Sequence, residues 1–350
     1  MQLDEMGERR IIEEVLGPRY GGKWFGDDCA YFPAAMKAGD LIVGTTDPCP
    51  EPMAAMLGYD DPYYRGWLLA TINLSDLGAG GAEPLGLLTS LVLPNNFEVG
   101  QLLRLLDGID DCCKECGTEV RGGNIKEGSR VDLSATAIGL LPGGRGLTRG
   151  GASVGDTIVA IGDLGLFWTG VLAVQHSLTL SDEEREAALR NVLTPLPKVD
   201  IGRALAEARA LTACMDNSDG VYASLLQIGA ASHVSMNVKA DHLQYKAVVW
   251  RVSRALRVDP VRLTLGWGDW QLIGCTRDLA RVEAICRVHG VEVQALGTVE
   301  RGVGVNLEYD GKKGPMAHID SERFTSESWF TAGIQSYISQ LLDAPLWHDE

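Results

Sequence analysis

The residues of this 350-residue chain best suited to chemistry lie in four short acidic turns: Gly26-Asp27-Asp28, Thr45-Thr46-Asp47, Asn73-Leu74-Ser75-Asp76 and Met215-Asp216-Asn217-Ser218-Asp219-Gly220. Each follows or closes an apolar run. Hard divalent ions such as Mg²⁺ take oxygen ligands, usually one or two carboxylates completed by water and substrate phosphates. Four separate acidic turns can therefore serve two or more ions that bridge to a triphosphate. Taken singly, Asp beside Ser or Gly is the ordinary sequence of a helix N-cap or an Asx turn. Their joint occurrence in this order is far more specific.

The commoner ways of holding a nucleotide are missing. No GxxxxGK[ST] occurs, and the glycine groups make no GxGxxG between a strand and a helix, so phosphates must be met another way. Cys113 and Cys116 form a CxxC, but no second pair follows at zinc-ligand distance, and the six histidines fall in no metal spacing. These read as helix-borne thiols and structural imidazoles. The 42 glycines cluster at the edges of apolar runs, among them Gly122-Gly123, Gly266 and Gly268, where a turn or a close backbone approach needs a missing Cβ.

Charge narrows the partners. The chain has 47 acidic and 31 basic residues, a formal charge of −16, so its average field repels nucleic acid. Such a protein meets a polyanionic nucleotide only with cations between its carboxylates and the phosphates. The start, MQLDEMGERRIIEEV, is acidic and amphipathic and no apolar run approaches eighteen residues, so no membrane partner is expected. Eight cysteines without an export signal read as reduced thiols, and the expected location is the cytoplasm.

These residues must be positioned by a core, and 350 residues favour two domains. Strand patterns cover 41–46, 86–93, 118–120 and 131–141, with helical spacing over 64–77 and 97–116. The Gly-rich LPGGRGLTRGGASVGD then marks a boundary near Leu147. Beyond it the pattern predicts strands at 157–161, 234–238, 293–299 and 303–309. Helices are predicted near 165–177, 182–192, 199–210, 219–231, 241–257 and 277–289, that at 182 capped by Ser181. The expected fold is α+β: residues 1–147 and 148–350 as two αβ domains.

The colinear series GDDCA, TTD, NLSDLGAGGAEP, LTRGGASVGD and MDNSDGV, from about residue 10 to 310, resembles the signature of thiamine-monophosphate kinase. That family belongs with aminoimidazole ribonucleotide synthetase, selenophosphate synthetase and the hydrogenase-maturation carbamoyl dehydratase. The resemblance implies an N-terminal domain that binds ATP and Mg²⁺ and dimerises through its sheet, with nucleotide and metal held in a cleft between the domains. Residue by residue, it implies Asp28, Asp47, Asp76, Asp216 and Asp219 as metal-binding carboxylates. It implies Thr46 and Ser218 as hydroxyls near metal or phosphate, Gly122-Gly123 as a close-approach turn and Arg149 as a phosphate contact. Asp47, Asp219 and Arg149 are thereby the candidate catalytic residues, in a reaction that asks mainly for positioning and charge neutralisation.

Three departures from the kinase pattern matter, one beside the nucleotide and two on the acceptor side. Asn124 stands where the kinase pattern has the aspartate of Gly-Gly-Asp, placing a neutral group beside the nucleotide-binding glycines. The segment Pro48 to Ala54 has no histidine where the kinase carries a His-Phe pair. The kinase's SGGEDYEL loop reads Leu265-Gly266-Trp267-Gly268-Asp269-Trp270-Gln271-Leu272, so Gly268 replaces a substrate-facing glutamate and Trp270 supplies the aromatic. Gly268, Asp269, Trp270 and Trp329 are the candidate acceptor-side residues. The nucleotide side is retained and the acceptor side rebuilt, which leaves three readings. They are a kinase-like phosphotransferase on a small molecule other than thiamine monophosphate, an amide- or amidine-activating synthetase or dehydratase that releases phosphate, and an inactive nucleotide-binding protein.

Overall fold

The structure, a computed structural model, describes residues 1–21, 29–30, 32, 35–317 and 333–348. The chain packs as two units, Met1–Gly146 with Leu193–Asp200, and Leu147–Val192 with Ile201–Glu350. The class is α+β, as the patterning predicts.

The first unit contains β1 (Leu41–Pro48), α1 (Pro62–Gly80), β2 (Glu83–Leu93), α2 (Val99–Glu115), β3 (Val120–Glu127) and β4 (Asp132–Leu141). Its sheet runs β1-β4-β2-β3, with β2 and β3 parallel and the other pairs antiparallel. Strand alternation puts Leu87, Leu91, Ile125, Leu133 and Ala137 on the face that α1 and α2 cover, where they are buried with Leu69, Leu74, Leu102 and Ile109. The start of α1 is set by Asp61, which accepts from the Tyr63 backbone N–H at 2.9 Å, with Pro62 in the first turn. Trp67 Nε1 and Thr71 Oγ1 both donate to the carbonyl of Pro195, which ties Leu193–Asp200 to this unit. The thiols of Cys112, Cys113 and Cys116 are buried in this core, and burial pushes the Cys113 thiol up, away from the reactive range.

Asp61 also accepts from Arg104 on α2 at 2.7 Å, and this hydrogen bond holds its carboxylate below the ordinary aspartate value. Replacing Asp61 by alanine is expected to cost about 1 kcal/mol, the usual loss on removing such a cap. A carboxylate with a depressed folded value stabilises above its unfolded value and loses that contribution as pH falls through the folded one. The difference between wild type and Asp61→Ala in a thermal melt should therefore shrink as the pH drops below the ordinary ~3.9 of an aspartate.

The second unit carries β5 (Thr157–Ile161), α3 (Leu166–Gln175), α4 (Asp182–Leu193), α5 (Val199–Glu207), β6 (Ala213–Asp216), α6 (Val221–Ser232), β7 (Ser235–Lys239), α7 (Ala247–Leu256), β8 (Leu272–Thr276), α8 (Leu279–Val288), β9 (Val293–Glu300), β10 (Val305–Tyr309), β11 (Lys312–Pro315) and α9 (Ile334–Asp343); α4 and α5 bracket the segment that packs with the first unit. Its seven strands run β11-β10-β7-β9-β5-β8-β6, so β6 is an edge strand and ends in Asp216. The capping box expected at Ser181 forms, Ser181 Oγ accepting from the Glu184 N–H and Glu184 accepting from the Ser181 N–H. Helix 241–257 starts only at Ala247, after a short turn over Ala240–His242. Strand 118–120 is instead β3, eight residues that run through Gly122-Gly123. No helix among the described residues is long and apolar enough to cross a membrane.

Candidate functional site

In the first unit β1 and α1 bring two of the acidic turns together. Asn73 and Asp76 are three residues apart on α1 and so share a helix face. Thr45 and Asp47, two apart on β1, share a strand face. Thr45 Oγ1 donates to Asp76 Oδ2 at 2.6 Å, and the Asp47 N–H donates to Asn73 Oδ1 at 3.0 Å. Asn73 is fully buried and its amide nitrogen donates back to the carbonyl of Leu69 at 3.0 Å, so it locks the backbone of Asp47 from inside the helix.

Strand alternation separates Thr46 from its neighbours. Thr46 points to the opposite face from Thr45 and Asp47, where its hydroxyl accepts from Thr136 Oγ1 at 3.0 Å and donates to the carbonyl of Ala135 at 2.9 Å. Thr45 is the hydroxyl that meets a carboxylate, and the period of two in TTD was the signal for it. Asn124 lies on that same opposite face, in the row Pro48, Ser134, Ser90, Asn124 across the sheet. Gly122 is on that face too, level with Thr46. Gly122-Gly123 form no turn. They are mid-strand residues, and a Cβ at 123 would run into the backbone and hydroxyl of Thr89 on β2, so the glycine serves close approach of neighbouring strands.

In the second unit the acidic turn follows β6 directly. Asp216 is 4% exposed and accepts from Ser218 Oγ at 3.2 Å, whereas Asp219 is exposed. Two backbone bonds clamp the turn to the loop at 267–271: the Asn217 N–H donates to Gln271 O and the Gly268 N–H to Ser218 O, both at 2.8 Å. Ser224, one turn into α6, donates to Asn217 Oδ1 at 3.2 Å. Asn217 Nδ2 is buried and has no hydrogen-bond partner among the described residues. Arg149 reaches the same region by another route. The Cys214 N–H on β6 donates to the carbonyl of Thr148 at 2.8 Å, and Arg149 Nη1 donates to Gln227 Oε1 on α6 at 2.6 Å.

The acceptor-side candidates divide. Asp269 is 2% exposed, and its carboxylate accepts from the backbone N–H groups of Gly165 and Phe167 at the start of α3. From a distant loop it caps the start of that helix. Gly268 has φ +94°, and a Cβ there would lie 2.9 Å from the ring of Phe167. That wall belongs to a cluster in which Phe167, Trp168, Trp267 and Tyr337 stack with centroids 5.4 to 5.9 Å apart. Trp270 is half-buried. Asp28 and Trp329 lie outside the described residues.

The donor set suits Mg²⁺. The grouped side chains offer carboxylate, hydroxyl and amide oxygens with no thiol or imidazole among them, and no group of three or more His, Cys, Asp or Glu side chains gathers for a metal among the described residues. Pairs of carboxylates are what an ion that keeps water and phosphate ligands requires. The unsatisfied amide donor of Asn217 adds a hydrogen bond suited to an anionic oxygen.

Comparison with known proteins fits this layout. Residues 26–141 match the family model of the AIR synthase related protein N-terminal domain, and residues 153–310 match that of its C-terminal domain. Thiamine-monophosphate kinase of Synechococcus elongatus is 31% identical over 311 residues, covering 87% of this chain and 92% of its own. The chain is a thiamine-monophosphate kinase-like member of the AIR synthase related family. Among solved structures, this family member is similar to AaThiL complexed with AMPPCP and TMP, at 26% identity and TM-score 0.68 over 89% of this chain and 96% of the other. The hydrogenase maturation protein HypE in complex with ATP is 17% identical with TM-score 0.72, over 91% and 98% of the two chains. That likeness is one of fold alone.

Proposed function

We propose that this protein is an ATP- and Mg²⁺-dependent, kinase-like phosphotransferase whose small-molecule acceptor is not thiamine monophosphate. The observation that carries the first half is the pair of bonds from Thr45 to Asp76 and from the Asp47 N–H to Asn73, which fixes the Asp76 carboxylate and the Asp47 backbone on neighbouring elements. Asp47 and Asp76, with Asp28, hold Mg²⁺ in this reading, as do Asp216 and Asp219 from the second unit. Bound Mg²⁺ supplies neutralisation of phosphate charge. Arg149 and Ser218 contact the nucleotide phosphates, the planar guanidinium offering a two-pronged contact that lysine lacks. Gly122, Gly123 and Asn124 form the remaining nucleotide-side strand. Family relatives named as thiamine-monophosphate kinases, and the AaThiL complex with AMPPCP, support this assignment.

Thermal shift tests it. ATP with Mg²⁺ should raise the melting temperature, and ATP with EDTA should leave it unchanged, because carboxylates facing a triphosphate repel it without cations between them. Equal stabilisation in both would dispose of the metal-bridged site.

The acceptor half of the proposal rests on Gly268, which offers no carboxylate where the kinase pattern has a glutamate and whose φ of +94° and Phe167 neighbour strain any side chain placed there. One observation favours a second reading, activation of an amide- or amidine-type oxygen with release of inorganic phosphate: the neutral Asn124 in place of an aspartate. We take residues 1–147 as the nucleotide-binding and dimerisation domain and 148–350 as its αβ partner, in a cytoplasmic homodimer. Support for the dimer comes from the exposed Leu41 and Ile42 on β1, an edge strand among the described residues. Light scattering at micromolar protein should return twice the chain mass; the mass of one chain would remove the dimer.

A further inference from the structure

Arg149 is held in an unusual way for a side chain meant to meet phosphate. Its backbone is fixed from two sides: the Thr148 carbonyl accepts from Cys214 on β6, and the Arg149 carbonyl accepts from Ser232 Oγ at the end of α6 at 3.3 Å. Ser232 Oγ in turn accepts from the N–H groups of Gly151 and Ala152, each at 3.1 Å. The guanidinium itself is exposed, and among the described residues it forms no ion pair. Its one described side-chain partner is the amide oxygen of Gln227, at 2.6 Å. Gln227 stands on the helix that opens at Gly220, immediately after Asp219, so one rigid element carries both the acidic turn and the residue that aims the arginine.

We propose that Gln227 is a positioning residue, which orients Arg149 toward nucleotide phosphate while leaving its charge uncompensated. An amide oxygen takes one of the five guanidinium N–H donors and contributes no charge, so four donors and the full positive charge stay available to an anion. A glutamate at 227 would give the same hydrogen bond in the same shape and cancel the charge as well. The inference rests on reading Arg149 as a phosphate contact.

Calorimetric titration of the acceptor-free protein with Mg²⁺ and AMPPCP tests both. Gln227→Glu should weaken nucleotide binding about tenfold, the effect of a close counter-charge at the protein surface, and added salt should narrow the gap. Gln227→Ala, which loses the orientation but spares the charge, should weaken it only about threefold, and neither variant should move the melting temperature of the nucleotide-free protein by more than about one degree. Arg149→Ala should weaken binding at least about tenfold, the scale of a lost charge-assisted hydrogen bond. If Arg149→Ala weakens binding while Gln227→Glu stays within twofold of wild type, the role of Gln227 is overturned and that of Arg149 stands. An equal loss in Gln227→Ala and Gln227→Glu would overturn the charge argument. No loss in Arg149→Ala would overturn the reading of Arg149 and the inference with it.

Discussion

Turnover with MgATP falls at least ~100-fold in Asp219→Asn and in Asp47→Asn, a loss of ~2.7 kcal/mol in transition-state stabilisation. The substitution keeps the size of each side chain and removes only its charge. If each carboxylate neutralises phosphate charge through Mg²⁺, the neutral amide forfeits that contribution throughout the reaction. Asp219 is exposed, so folding should be almost unaffected. Asp47 is half-buried, but the bond that Asn73 makes is to its backbone N–H, which asparagine retains. Melting temperatures close to wild type should therefore accompany the loss of rate. A steady-state assay decides it, and near-normal turnover in either variant removes that residue from the site.

Thiamine monophosphate should be a poor substrate, by several orders of magnitude in kcat/KM. Two contacts that the kinase pattern directs at its substrate are absent here, and both lie away from the nucleotide side. The segment Pro48 to Ala54 carries no imidazole, and Ala54 at its end is fully buried. Gly268 supplies no carboxylate, and its φ of +94° beside the Phe167 ring strains any side chain placed there. Losing one charged contact in a desolvated pocket typically costs ~2 to 5 kcal/mol, and two such losses compound unless other groups replace them. Glu51, a carboxylate within that segment, is paired with Arg65. A coupled assay for thiamine diphosphate, run with saturating MgATP beside the Synechococcus elongatus enzyme, measures the gap. Comparable kcat/KM values for the two would return this chain to ordinary thiamine-monophosphate kinase activity.

Much of this architecture is legible in the sequence, and what is not has identifiable causes. Helix α2 and the strands read at 41–46, 86–93 and 131–141 follow from apolar periodicity, because each turns one face more fully toward the core. Strands β6 and β8 do not show that alternation. They are four and five residues long and buried on both faces, so their sequences ACMD and LIGCT look like fragments of a core helix or loop. Helix α9 went unread behind them, although Tyr337 on it accepts from the Trp267 N–H and so braces the loop containing Gly268.

At the site, residue identity carried further than side-chain direction. The acidic turns were visible as a set, but that Thr45 and not Thr46 bonds Asp76 depends on which face of β1 each takes, a matter of strand register. The capping bonds of Asp269 are not legible, because its helix partners, Gly165 and Phe167, are about a hundred residues away in sequence. Asn73 is legible only as a member of its turn and Gln227 not at all, because neither type carries charge and their importance lies in what they hold.

The fate of the ATP γ-phosphate tests the central claim most directly. The protein is incubated with Mg²⁺, γ-labelled ATP and the low-molecular-mass fraction of its source cells, and the label is followed by phosphorus NMR and chromatography. A phosphotransferase moves the label onto an organic acceptor, at a rate that Asp219→Asn abolishes, and thiamine monophosphate added alone does not reproduce the transfer. Label appearing only as inorganic phosphate, or remaining in ATP throughout, would contradict it.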